Sequence, residues 1–131
     1  MANVYLFGAS GHGKVIKDIL NANGIKVEAF VDDNLRVNEC AGRKVLHDAG
    51  GLSPMIVSIG VNRIRRMIVN RLVAKANAEG HPLEFATAIH PSAIISPSAK
   101  IGEGTVVMAE AVINADTVIG RIQAQQLTMT V

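Results

Sequence analysis

Apolar residues gather in short runs that glycine or charge interrupts. Val4 to Phe7 is the first such run, and it ends in glycines, which predicts a buried strand. From Lys14 to Asn21 the period lengthens. Val15, Ile16, Ile19 and Leu20 fall on one helical stripe, and Asn23-Gly24 stops it. Val27 to Val31 predicts a second strand, ending at Asp32-Asp33-Asn34. Residues 35 to 54 are mixed, with one short strand expected at Lys44 to Leu46. Met55 to Ile59 predicts another buried strand, ending at Gly60. Asn62 is placed to cap a second helix, with Ile64, Met67, Ile68 and Leu72 as its apolar stripe and Gly80 as its end. Leu83 to Ile89 returns as a strand. Strands that alternate with helices predict an α/β fold with a parallel sheet.

After Ile89 the period changes to six. The blocks are IHPSAI, ISPSAK, IGEGTV, VMAEAV, INADTV and IGRIQA. Each opens on an aliphatic residue: Ile89, Ile95, Ile101, Val107, Ile113 and Ile119. The fifth position of the first five is small: Ala93, Ala99, Thr105, Ala111 and Thr117. One aliphatic and one small residue every six positions is the signature of a parallel β-helix. The aliphatic side chain points into a triangular prism, and the small one fits its corner. Three hexads complete a turn, so six hexads predict two turns of such a prism. The expected division is residues 1–86 as a Rossmann-like domain, 87–124 as two coils, and 125–131 as a tail without hexad logic.

Composition narrows the function classes. Hydrophobic residues make up 49% of the 131 and charged ones 18%, which predicts a folded chain. Aromatics are 3%, so the core is to be built from Val, Ile, Leu and Ala. A net charge of +2 gives no reason to expect nucleic acid or a membrane surface as partner. The lone Cys40 excludes an internal disulfide and fits a cytoplasmic setting. No apolar stretch is long enough to span a membrane.

The chemistry begins at FGASGHGKV, residues 7 to 15. Gly8, Gly13 and Lys14 satisfy G-x-x-x-x-G-K, but Val15 stands where a Walker loop needs Ser or Thr for Mg²⁺. The glycines at 8, 11 and 13 also differ from G-x-G-x-x-G. The context is nonetheless that of a Rossmann unit: strand, glycine turn, helix amino terminus. Backbone N–H groups there would face a phosphate or pyrophosphate. Asp32 follows Gly13 by nineteen residues at the end of the next strand, where an acid takes a ribose hydroxyl. The same glycines also suit a tight turn with close helix–strand packing, and spacing alone leaves both readings open. His12 is open to a ligand or to solvent. Asp33 is open to a turn role. Arg63, Arg66 and Arg71 are expected on a solvated helix face, whereas Arg65 lies near the helix start, close to the sheet's carboxyl edge. His47, His81 and His90 have no metal-ligand spacing with one another or with Cys40.

Four motifs together, LFGASGHGKV, FVDDN, IGVNRIRR and HPSAIISPSAKIGEGTVVMAEAVINADTVIG, make the chain resemble one family over residues 4 to 120. It is similar to hexapeptide-repeat acetyltransferases of the sialic acid O-acetyltransferase and bacillosamine N-acetyltransferase type. The resemblance implies a Rossmann-like amino-terminal domain that holds a UDP-linked or otherwise activated sugar. It implies a left-handed β-helix that binds acetyl-CoA between the subunits of a homotrimer. By it, Gly11, His12 and Gly13 line the nucleotide diphosphate, and Gly8 and Ser10 belong to the same substrate-binding site. Asp32 and Asp33 lie near the uridine or sugar, and Gly60, Asn62 and Arg65 close the pocket.

The departure lies in the last residues. Family members continue for several more coils and carry a general base in V-[DE]-H-[DE]-C. That His takes the proton of the sugar amine or hydroxyl that attacks the thioester. Here no His follows His90. Back-translation of RIQAQQLTMTV, read from the third base of each codon, permits N-T-[SG]-A-[TA]-V-D-H-D-C, which is the missing segment. The expectation is a frameshifted, truncated acetyltransferase, with no catalytic residue and no bound acetyl-CoA of its own. A nucleotide-sugar-binding module without catalysis is the second reading. An NAD-dependent oxidoreductase fragment is the third.

Overall fold

The computed structural model describes residues 3–120. The expected tail at 125–131, and the frame change read in it, lie outside the described residues. Strand β1 (Asn3–Phe7) leads to helix α1 (Gly11–Ala22), then β2 (Lys26–Val31), a hairpin of β3 (Glu39–Cys40) and β4 (Arg43–Leu46), β5 (Met55–Val57) and helix α2 (Asn62–Glu79). The sheet runs in the order β3-β4-β2-β1-β5. All pairs are parallel except β3 with β4. Alternation along β1 explains why it has a helix on each face. Val4 and Leu6 join Ile16, Ile19 and Leu20 of α1, while Tyr5 and Phe7 join Val69 and Leu72 of α2. Burying each such side chain contributes about 1.5–3 kcal/mol.

Several expectations are corrected. Val15 is exposed, so α1 buries Ile16, Ile19 and Leu20 without it. On α2 the buried residues are Arg65, Val69 and Leu72, while Ile64 and Met67 face outward. Ile68 and Leu72 of the expected stripe still pack on the core, and the Arg65 side chain is buried as well. Asn62 is the first helical residue, and Val61 occupies the capping position. The β3 strand escaped the pattern. It is two residues long, and its turn bends through Ala41 and Gly42, both with positive φ. The strand expected over 83–89 shrinks to a parallel bridge between Phe85 and Met55, followed by β6.

Six two-residue strands follow: β6 (Ala88–Ile89), β7 (Ile94–Ile95), β8 (Lys100–Ile101), β9 (Val106–Val107), β10 (Val112–Ile113) and β11 (Val118–Ile119). They pair in parallel as β6 with β9, β7 with β10 and β8 with β11. Every pair is offset by eighteen residues, three hexads, so the second turn of chain lies on the first. Ile89, Ile95, Ile101, Val107, Ile113 and Ile119 form one cluster with Ala93, Ala99 and Ala111. Two serines stitch the layers. Ser92 Oγ accepts the Glu110 N–H and Ser98 Oγ accepts the Asp116 N–H, both at 2.9 Å. Glu110 and Asp116 have positive φ, as Gly104 does, so the chain bends in a left-handed conformation at three positions six residues apart. The coils are joined to the sheet by Val106, which enters the α1-side core. Asn23 also holds them, donating to Ile89 O at 2.7 Å and to Ile19 O at 3.0 Å.

Candidate functional site

Strand order places the site. The chain leaves β1 toward β2 through α1, and leaves β5 on the opposite face through α2. The carboxyl ends of β1 and β5 therefore flank the point where the sheet's winding reverses, where α/β sheets open a crevice. One wall is the turn from Gly8 to Gly13, and the other runs from Ser58 to Asn62.

Two glycines are there for packing. Gly8 has φ +120°, and a Cβ on it would stand 2.8 Å from Ser58 O. A Cβ on Gly13 would collide with the Gly8 carbonyl and lie 2.9 Å from Phe30 Cε2. Gly11 differs: nothing stands within 4 Å of its would-be Cβ. The open face of the turn is therefore at Gly11. Gly60, on the opposite wall, has the His12 ring 3.7 Å from where its Cβ would be. His12 is thus packed between the walls, half-buried.

Side chains hold both walls. Asp32 accepts the Ala9 N–H on Oδ2 and the Asn34 N–H on Oδ1, both at 2.9 Å. Both bonds are to the protein's own loops, so Asp32 ties the glycine turn to the end of β2. Ser58, fully buried, has its Oγ 2.9 Å from the carbonyls of both Phe7 and Gly8, and its single proton serves one at a time. Arg65, 7% exposed, donates to Ile59 O at 2.9 Å and to Asn62 Oδ1 at 2.6 Å. Burial lowers the pKa of its guanidinium, and neighbouring Arg66 lowers it further. Asp33, exposed, is gripped by Arg71. Sequence reasoning passed over Ser58, and it placed Arg71 on a solvated helix face without a partner. A hydroxyl inside the apolar run Met55 to Ile59 was the available signal for Ser58. Arg71 lies 38 residues from Asp33 and gave none.

Both helices begin at this crevice, and neither amino terminus is capped. Ser10 precedes α1 in an extended conformation and its side chain makes no capping bond; Val61 has no group with which to cap α2. Neither first turn contains an acid. Each first turn therefore keeps its N–H groups without a side-chain cap and its positive dipole end without an acid, a setting that favours an anion. Of the expected residues, Gly8, Ser10, Gly11, His12, Gly13, Gly60, Asn62 and Arg65 form the two walls. Asp32 and Asp33 stand at the neighbouring strand end. Among the described residues no three His, Cys, Asp or Glu side chains come together to hold a metal ion, and no helix is long and apolar enough to cross a membrane.

The chain is similar to known proteins over most of its length. The model of the PglD N-terminal domain matches residues 3–72. UDP-N-acetylbacillosamine N-acetyltransferase of Bacillus subtilis (strain 168) is 38% identical over 119 residues, covering 83% of this chain and 52% of that protein. The crystal structure of PerB from Caulobacter crescentus in complex with CoA and GDP-perosamine superposes with a TM-score of 0.78 at 35% identity. It covers 99% of this chain and 64% of that one. The acetyltransferase domain of PglB from Neisseria gonorrhoeae FA1090 in complex with acetyl coenzyme A gives 0.74 at 38% identity, covering 91% and 58%. The chain spans about half the length of the curated relative and roughly three-fifths of these structures.

Proposed function

The chain belongs to the PglD N-terminal domain family, and from that premise we propose that it holds a sugar nucleotide, with its diphosphate between the amino termini of α1 and α2. The uncapped helix pair on either side of the β1–β5 crevice carries this reading. Gly8, Ser10, Gly11, His12 and Gly13 form one wall around the diphosphate. Gly60, Asn62 and Arg65 form the other, and Asp32 and Asp33 stand toward the nucleoside or sugar. The relatives supply the ligand class: a UDP-sugar by the name of the Bacillus protein, a GDP-sugar in the PerB complex.

Residues 1–86 are the nucleotide-sugar domain in this reading, and 87–124 are two coils of a left-handed β-helix. In the family the reaction is acetyl transfer from acetyl-CoA to a sugar amine or hydroxyl. The 131 residues hold no His after His90, and two coils offer little of the prism on which acetyl-CoA would lie. The chain by itself therefore binds the sugar nucleotide and does not acetylate it. The shifted frame within RIQAQQLTMTV belongs to the same proposal, and the coding DNA tests it: a frame that does not encode V-D-H-D-C removes it.

Calorimetric titration with UDP-N-acetylglucosamine and GDP-mannose tests the binding. Saturable heat with one of them is expected, and none with either contradicts it. Release of free CoA thiol from acetyl-CoA with a nucleotide-linked amino sugar is expected to stay at background. Turnover by the 131-residue chain would overturn the second half of the proposal.

A further inference from the structure

Arg71 is exposed on α2, as its sequence neighbourhood suggested, but its charged end is held in place. Its guanidinium meets Asp33 through two bonds, Nη1 to Oδ2 at 3.0 Å and Nη2 to Oδ1 at 3.2 Å. The same group lies over the Phe7 ring, 5.4 Å from its centroid. The fork is thus oriented twice, by a carboxylate at its end and by an aromatic face beneath it. Phe7 is the last residue of β1, directly before the glycine turn. Asp33 follows Asp32, which ties that turn to β2. Arg71 therefore reaches from α2, past the end of β1, to the end of β2.

We infer that Arg71 is a positioning residue for sugar-nucleotide binding: it fixes the orientation of Asp33 and cancels its charge beside the crevice. The inference rests on the proposed function above. A bare carboxylate within about 8–10 Å of a diphosphate repels it at ordinary ionic strength. The paired guanidinium removes that repulsion. It also leaves each Asp33 oxygen free to accept on its other side, so the group presented is an acceptor for a ligand N–H or O–H. Arg71 acts through Asp33 and need not touch the ligand. An exposed pair of this kind adds little to fold stability, so binding and stability can be read separately.

A double-mutant cycle on the 131-residue chain tests this, with UDP-N-acetylglucosamine and GDP-mannose as probes. Arg71→Ala is expected to weaken binding about fivefold while the denaturation midpoint stays put. The loss is expected to narrow as salt is added, and to vanish when Asp33→Ala is already present. Arg71→Lys restores part of it, keeping the charge without the fork. Equal binding by wild type and Arg71→Ala overturns the inference. So does a full loss in the Asp33→Ala background, which would mean that Arg71 touches the ligand or supports the fold. Where Arg71→Ala does not fold, Arg71→Lys and Asp33→Ala carry the test: unchanged binding by both overturns it. Wild type that binds neither probe removes the underlying reading and this inference with it.

Discussion

In the sheet, β1 and β2 are covered from both sides: Leu6, Val27, Ala29 and Phe30 have no exposed surface. In the coils the same job is shared unequally. Val107, Ala111 and Ile113 of the second turn are closed, whereas Ile89, Ile95 and Ile101 of the first are only half-buried. A sheet strand gets its cover from helices far along the chain. A coil gets its cover from the next coil, plus the Val106 and Asn23 contacts to α1. The sheet can thus carry a site by itself, while a coil is as stable as its neighbours make it.

The contrast can be broken in four places. Phe30→Ala removes the largest fully buried side chain and is expected to cost about 3–5 kcal/mol in a denaturant titration. A cost below that of any coil substitution would reverse the ranking of the halves. Ile113→Ala is expected to cost about 2–3 kcal/mol, against about 1 for the half-buried Ile95→Ala. Equal costs would mean that the two turns are covered alike. Ser92→Ala removes the acceptor of the Glu110 N–H and is expected to cost about 1 kcal/mol by thermal melting. No change would show that the serine stitches add nothing to stacking.

The smallest effect belongs to the Lys75–Asp48 pair on α2 and its neighbouring loop, 2.9 Å apart and exposed. The Asp48 pKa is lowered, first by the Gly50 N–H and then by Lys75. Its contribution is present above the ordinary carboxylate range and lost as pH falls through the folded value. The Lys75 pKa is raised by Asp48, so that partner's contribution is lost only as pH rises through its own folded value. Lys75→Met is expected to leave the neutral-pH midpoint unchanged. A clear drop would contradict the exposed-pair account.

The hexads were the most legible part of the chain, because a six-residue period written in Ile, Val, Ala and Thr has few other physical uses. Strands β1, β2 and β5 were legible for a similar reason: buried parallel strands are continuous apolar runs. The burial of Arg65 on α2 was not. A stripe of Ile64, Met67, Ile68 and Leu72 looks complete until Arg65 is seen to turn inward onto Ile59 O and Asn62. The candidate site was legible as a glycine turn followed by acids, but the division of labour among its residues was not. Spacing cannot distinguish Gly13, which packs against Phe30, from Gly11, which faces open space. Nor can it tell that Asp32 spends both oxygens on backbone N–H groups while Asp33 meets Arg71.

That division offers the most direct test of the sugar-nucleotide site. Gly11 is the first residue of α1, with room for a side chain and an ordinary φ, so Gly11→Asp fits and its charge suits a helix amino terminus. The carboxylate would stand where the diphosphate is placed. Titration of wild type and Gly11→Asp with UDP-N-acetylglucosamine and GDP-mannose, beside a thermal melt of each, separates ligand from fold. The account predicts an unchanged or higher melting midpoint and loss of the binding seen in wild type. Undiminished binding by a folded Gly11→Asp would contradict it.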